Sequence, residues 1–203
     1  MESYLLFLVI ALVTVLSPGP GVILTLTNTL RGGVIAAIGG ILGISIGTFV
    51  VAAVSASSIG LILNTSLLAF TLMKYAGGAY LVYLGVKLWK SPSVVIHSVD
   101  GRGKRKRVQF LEGLTLQITN PKAIFFFMSV LPQFIDYSSS YGGQFAILVT
   151  TYSILVIIIH LLYASLAKVA CQWFISQKGG RVLNQFGGAI FICFGIGLAS
   201  ANR

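Results

Sequence analysis

Long apolar runs follow one another along the chain, separated by short polar or glycine-rich stretches. A helix that crosses a bilayer needs about 20 predominantly apolar residues. Six stretches meet that need: Tyr4 to Asn28, Val34 to Leu61, Leu67 to Trp89, Phe110 to Leu131, Gln144 to Trp173 and Leu183 to Ala201. Gly32-Gly33, Gly142-Gly143 and Lys178-Gly179-Gly180-Arg181 mark turns, and the longest connection, about 90–109, is polar and basic. The pattern predicts an all-α integral membrane protein of six transmembrane helices, with 1–203 forming one membrane domain. Glu2 and the absence of a basic leading segment make the first run a retained helix rather than a signal peptide.

Two of these runs are interrupted near their middles, at Ser17-Pro18-Gly19-Pro20-Gly21 and at Thr119-Asn120-Pro121-Lys122-Ala123. Proline removes a backbone donor and crowds the preceding turn, so spans one and four are expected to be broken helices. Backbone groups freed in this way are tolerated inside a membrane only where they are buried in protein or line a cavity. Interrupted spans in corresponding positions of two halves point to a transport site.

The halves also resemble each other. Gly77, Gly78, Ala79, Gly85 and Leu88 in the third span match Gly187, Gly188, Ala189, Gly195 and Leu198 in the sixth. Together with the matched proline breaks, this predicts a repeat of three spans, the first about 1–89 and the second about 110–203. Three is odd, so the two copies have opposite orientation, as in many secondary transporters. Gly39, Gly43 and Gly47 share one face of span two, where they permit close helix packing; such faces would also permit a homodimer.

Composition agrees with this architecture: 56% of the residues are hydrophobic and only 9% are charged, against about 25% charged in soluble domains. The net charge of +10 is not a nucleic-acid footprint, because Arg102, Lys104, Arg105, Lys106 and Arg107 are concentrated in one loop between spans. Such a loop reads as a cytoplasmic topology signal, and it is also suited to anionic lipid headgroups. With that loop inside, 11 of the 14 basic residues fall on the cytoplasmic side, and both termini are expected outside. Trp89 and Trp173 then stand at cytoplasmic span ends. Cys171 and Cys193 lie in apolar stretches without metal-ligand spacing and read as small buried residues.

The candidate chemistry gathers at the breaks. The helix restarting at Pro20 presents free N–H groups and a positive dipole end, which suit a substrate carboxylate. Pro18, Gly19, Pro20 and Gly21 therefore form one half of a predicted substrate site, and Asn120, Pro121 and Lys122 the other. Lys122 has two readings: it neutralises a substrate carboxylate, or it snorkels or pairs with a helix carbonyl. Lys74, near the start of span three, reads as an interfacial lysine. His160 is either a hydrogen-bonded core residue or a proton carrier. The acids are Glu2, Asp100, Glu112 and Asp136. None lies deep in a span, which leaves His160, Glu112 and Asp136 as candidates for ion coupling. The chain has no HExxH, GxSxG or Walker loop, so neither an enzyme nor a cofactor or metal site is expected. A passive channel and a non-transporting scaffold are the rival readings from other classes.

Taken together, Ser17-Pro18-Gly19-Pro20, the glycines from Gly39 to Gly47, Lys74-Tyr75-Ala76-Gly77-Gly78-Ala79-Tyr80-Leu81, Asn120-Pro121-Lys122-Ala123 and Leu131-Pro132-Gln133-Phe134 resemble the LysE superfamily of amino-acid exporters, especially its RhtB-like homoserine/threonine branch. The resemblance runs through essentially the whole chain in order. It implies a six-helix inner-membrane exporter of amino acids or related small metabolites, driven by an ion gradient, with the proline motifs shaping the substrate path. Gly21 stands where the family often has Asn, Thr48 where it often has an acid, and 150–163 lacks the acid often found in span five.

Overall fold

In a computed structural model, residues 2–63, 67–90, 105–136, 138–167 and 177–200 are described, and all their regular structure is helical. The elements are α1 (Glu2–Leu16), α2 (Pro20–Leu63), α3 (Leu67–Lys90), α4 (Lys106–Ile118), α5 (Pro121–Phe125), α6 (Tyr141–Ser165) and α7 (Gln177–Ser200). Arg102 and Lys104 of the basic loop, Asp100, Lys168, Cys171, Trp173 and Arg203 lie outside the described residues.

Both expected interruptions are present. α1 stops at Leu16 and the helix restarts at Pro20, while α4 and the helical run Pro121–Phe134 meet at 49°. The Gly32-Gly33 turn is also where the pattern put it. Gly33 has φ 76°, a left-handed value that a residue with a Cβ rarely adopts, and this splits α2 into two arms. Other boundaries move. Gly142 and Gly143 fall inside the first turn of α6, which starts at Tyr141. α5 does not end as a plain α-helix either. A π turn, Phe126–Val130, carries the Leu131 amide to the Phe126 carbonyl, five residues back, and a 3₁₀ turn follows at Leu131–Phe134. Pro132, with no N–H to give and a ring that crowds the preceding turn, sits where that change of pitch occurs.

Among the described residues, two helical runs, Pro20–Ala56 and Tyr141–Ser165, are long and apolar enough to cross a membrane, and the bent pair of Lys106–Ile118 with Pro121–Phe134 makes a third. These are fewer than the six spans expected. The first break leaves α1 with 15 residues, about 22 Å of helix against a hydrocarbon core of about 30 Å. α3 and α7 are 24 residues each. The surface is nonetheless that of a membrane protein: Leu5, Ile35 and Phe186 are each about two-thirds exposed and lie among many other exposed large apolar side chains.

Without a hydrophobic force between helices in lipid, packing and polar contacts hold them together. The second arm of α2 lies parallel to α4 with backbones nearly touching. A Cβ at Gly39 would fall 2.6 Å from the Lys106 carbonyl, and one at Gly47 2.7 Å from Gln117 Cβ. Gly43 faces the Phe110 carbonyl and Gly113 the Gly40 carbonyl in the same close fashion. α3 and α7 run antiparallel, with Gly78 against Gly195 and Gly85 against Gly188. The glycine faces that would have permitted a homodimer are thus occupied within the chain. α1 and α6 run parallel, tied at one end by Tyr4 Oη to Thr151 Oγ1 (2.9 Å) and at the other by Tyr163 Oη to the Leu16 carbonyl (2.7 Å). The core is aromatic: Phe7, Phe126, Phe127 and Tyr152 are fully or almost fully buried, and their rings meet tilted or edge to face.

Candidate functional site

Where α1 ends, its last carbonyls have no helical partner. The structure supplies one for each of four. Ser17 N–H turns back to the Val13 carbonyl at 2.9 Å. Lys122 Nζ, from the other break, donates to the Thr14 carbonyl at 2.7 Å and to the Ser17 carbonyl at 3.0 Å. The Tyr163 hydroxyl donates to the Leu16 carbonyl. An ammonium at a helix C-terminus also meets the negative end of the dipole. Of the readings open for Lys122, pairing with helix carbonyls is the one its geometry displays. Removing the Tyr163 hydroxyl strips one of these carbonyls, so Tyr163→Phe is expected to lower stability by about 1–2 kcal/mol, read as an earlier melting transition in detergent; an unchanged transition would mean that the carbonyl finds another donor.

The second break is capped from within. The Asn120 side-chain oxygen accepts the Lys122 N–H at 3.1 Å, and Pro121 occupies the first helical position, where a missing N–H does no harm. From Asn120 a polar chain leads away from the break. Asn120 Nδ2 approaches Gln117 Oε1 at 3.5 Å, Gln117 Nε2 donates to Thr48 Oγ1 at 3.1 Å, and Thr48 Oγ1 donates to the Ile44 carbonyl. All three side chains are buried, and each link leaves one fewer bare polar group in lipid.

The two breaks face one another across a cavity of about 380 Å³, counting its open mouth. Ser17, Gly19 and Gly21 line it from the first break, and Asn120, Lys122 and Ala123 from the second. Gln117 adds an amide, Tyr152 and His160 close it from α6, and Ile44 and Val156 supply apolar wall. His160 is buried and its Nδ1 shares a 2.7 Å hydrogen bond with Thr25 Oγ1. A Cβ on Gly21 would stand 3.2 Å from the ring, so glycine at this position leaves the imidazole its place on the wall.

Of the residues expected from sequence, Gly19, Gly21, Asn120, Lys122 and His160 come together here. Pro18, Pro20 and Pro121 do not line the cavity; they act by stopping one helix and starting the next. Glu112 and Asp136 also lie away from it. Asp136 caps a turn instead, its carboxylate accepting from Ser138 N at 2.9 Å and from the Ser138 hydroxyl at 2.6 Å. Sequence reasoning missed Tyr152 and Tyr163. The signal was present in span five as hydroxyl-bearing aromatics opposite a helix end short of donors.

A wall of amide, hydroxyl, imidazole and ammonium groups inside an apolar bundle can hold a small polar solute and shield it from lipid. Comparison with known proteins agrees. A homoserine/homoserine lactone efflux protein of Salmonella typhimurium is 31% identical over 203 residues, covering 100% of this chain and 98% of the relative. A leucine efflux protein of Salmonella choleraesuis is 31% identical over 210 residues, covering 98% and 95%. An uncharacterized membrane protein of Bacillus subtilis is 29% identical over 205 residues, covering 97% and 98%. No solved structure matches the chain significantly. The model of the LysE type translocators matches residues 12–202, and the chain therefore belongs to that family.

Proposed function

We infer that this membrane translocator exports amino acids or related small metabolites across the cytoplasmic membrane, by alternating access around the cavity between the two proline breaks. One observation carries the reading: two broken helices, far apart in sequence, place polar groups from both halves on one buried cavity. The names of the relatives, homoserine/homoserine lactone and leucine efflux proteins, give the solute class. Ser17, Gly19, Gly21, Asn120 and Lys122 form the substrate site, with His160 the candidate for ion coupling because it alone of the three coupling candidates lines the cavity.

Six spans in a 3+3 inverted repeat complete the proposal, and the helix contacts support it. Under the repeat, Gly78 corresponds to Gly188 and Gly85 to Gly195. The contacts are Gly78 with Gly195 and Gly85 with Gly188, so exchanging the halves turns one contact into the other, as a two-fold relation requires. The same contacts support the orientation proposed. Gly39, just after the first turn and Arg31, lies beside Lys106 at the start of α4, whereas Gly77, near the middle of α3, lies beside Ser129 toward the far end of the fourth span. Arg31, Lys87, Lys90 and Arg105 to Arg107 are thereby drawn to one end, which the positive-inside rule makes cytoplasmic, with both termini outside.

Cells loaded with dipeptides test the reading. Those carrying the chain are expected to release one or a few amino acids several-fold faster than cells without it, and an uncoupler should abolish release against a gradient. Equal release across a full amino-acid panel, with the protein present in the membrane, would remove the amino-acid assignment. Release that persists with an uncoupler but only down a gradient would replace the transporter by a channel.

A further inference from the structure

From the cavity toward the basic end of the molecule, the first arm of α2 carries Gly21, Thr25 and Asn28 on one face, at spacings of four and three residues. Gly21 lines the cavity and Thr25 holds His160. Asn28 comes next, 1% exposed, and its Nδ2 has no hydrogen-bond partner. A Cβ on Gly40 would meet that nitrogen at 3.1 Å, so the amide points into the contact between α2 and α4. Gln109 reaches the same place from α4. It is also 1% exposed, it packs within 3.4 Å of a Cβ on Gly39, and both of its amide atoms, Nε2 and Oε1, are without partners.

Two carboxamides buried in one helix contact, with three of their polar atoms lacking partners, are an unusual choice. A methionine or leucine would fill the space without desolvating polar atoms, and a buried donor or acceptor left unmade destabilises the state that buries it. That penalty has a use if this contact opens in the other conformation of the transporter. The contact is built to separate. Glycine at 39, 40, 43 and 113 removes side chains from it, so around Asn28 and Gln109 the two helices meet largely on backbone surfaces, and the Gln117–Thr48 hydrogen bond lies further along the contact.

We propose that Asn28 and Gln109 form a cytoplasmic loading subsite, sealed in this conformation, that holds a small zwitterionic solute before it reaches the cavity. This rests on the export reading above. The chemistry fits a net-neutral solute: Asn28 Nδ2 and Gln109 Nε2 donate to a carboxylate, Gln109 Oε1 accepts from an ammonium, and neither side chain carries charge. The path from the subsite to Lys122 runs past Thr25 and His160, along the same face.

The test uses the full chain with Cys171→Ser and Cys193→Ser, carrying one of Asn28→Cys, Gln109→Cys or Ser17→Cys, in inside-out membrane vesicles treated with a small maleimide. Leucine, homoserine and lysine serve as probes. At saturating leucine or homoserine, labelling of all three variants is expected to slow several-fold, with lysine much weaker. If the Ser17→Cys variant is protected while the Asn28→Cys and Gln109→Cys variants label at an unchanged rate or do not label at all, the subsite is overturned and the cavity stands. If no probe protects any of the three, the export reading falls, and the subsite with it. A second variant separates transport from folding. Gln109→Met is expected to raise the KM for efflux about tenfold or more while melting no earlier than the parent. An earlier melting transition would make Gln109 a structural residue and overturn the proposal.

Discussion

Replacing Lys122 with methionine is expected to abolish efflux and to lower the melting temperature in detergent. The substitution keeps the length and apolar stem of the side chain and removes only its ammonium. Two carbonyls at the end of α1, those of Thr14 and Ser17, then lose their donor at once. No continuing helix replaces it, so the combined loss is about 1–3 kcal/mol. Transport suffers more than stability does. Lys122 is the cation on the cavity wall, and its two bonds fix where α1 ends and hence the shape of the cavity. Lys122→Arg, which keeps the charge and can bridge both carbonyls, is expected to restore the melting temperature but not full efflux, since the larger head fills part of the cavity. Efflux and melting both unchanged in Lys122→Met would show that the lysine neither closes α1 nor serves the solute.

Gly43→Ala is expected to prevent the native helix packing, with the protein largely lost from the membrane. The added methyl would lie on top of the Phe110 carbonyl and 2.8 Å from the Leu114 amide nitrogen. Both are backbone atoms of α4, which cannot swing aside as a flexible side chain does, so the helices must part along their length. Separation breaks the neighbouring Gly39, Gly47 and Gly113 contacts together. Gly197→Ala in α7 is the control. Nothing lies within 4 Å of its added methyl, and replacing glycine inside a helix stabilises by up to about 1 kcal/mol. Comparing membrane abundance and melting of the two variants checks the argument; equal behaviour would refute it.

How far the molecule can be read from its sequence depends on which residues act through the backbone. Pro18, Pro20 and Pro121 break helices wherever they stand in an apolar run, and Gly32-Gly33 stops one, so these features survive translation into structure directly. The repeat glycines were legible as a motif, but their partners were not. That Gly78 meets Gly195 is a matter of which faces turn toward each other, and no periodicity encodes it. The same holds for Lys122. The sequence places a cation near the midplane and leaves open what it faces; the answer comes from α1, more than 100 residues away. Tyr163 was missed because its role is set by a carbonyl that Pro18 and Pro20 set free in another helix. The π turn at Phe126–Val130 escaped because the apolar run through it has no break and carries no sign of a change of pitch before Pro132.

The most extensive helix contacts, α2 with α4, α2 with α6 and α3 with α7, all join the first half of the chain to the second. This has a consequence for biogenesis. During synthesis the first three helices enter the bilayer before their partners exist, with the carbonyls of Thr14, Leu16 and Ser17 awaiting donors that arrive only with Lys122 and Tyr163. The amino-terminal half is therefore an unfinished client of the insertion machinery until the ribosome has delivered the second half. Quality control that recognises unpaired polar backbone in lipid would act on truncated chains first, and the complete protein escapes it by assembling late and all at once.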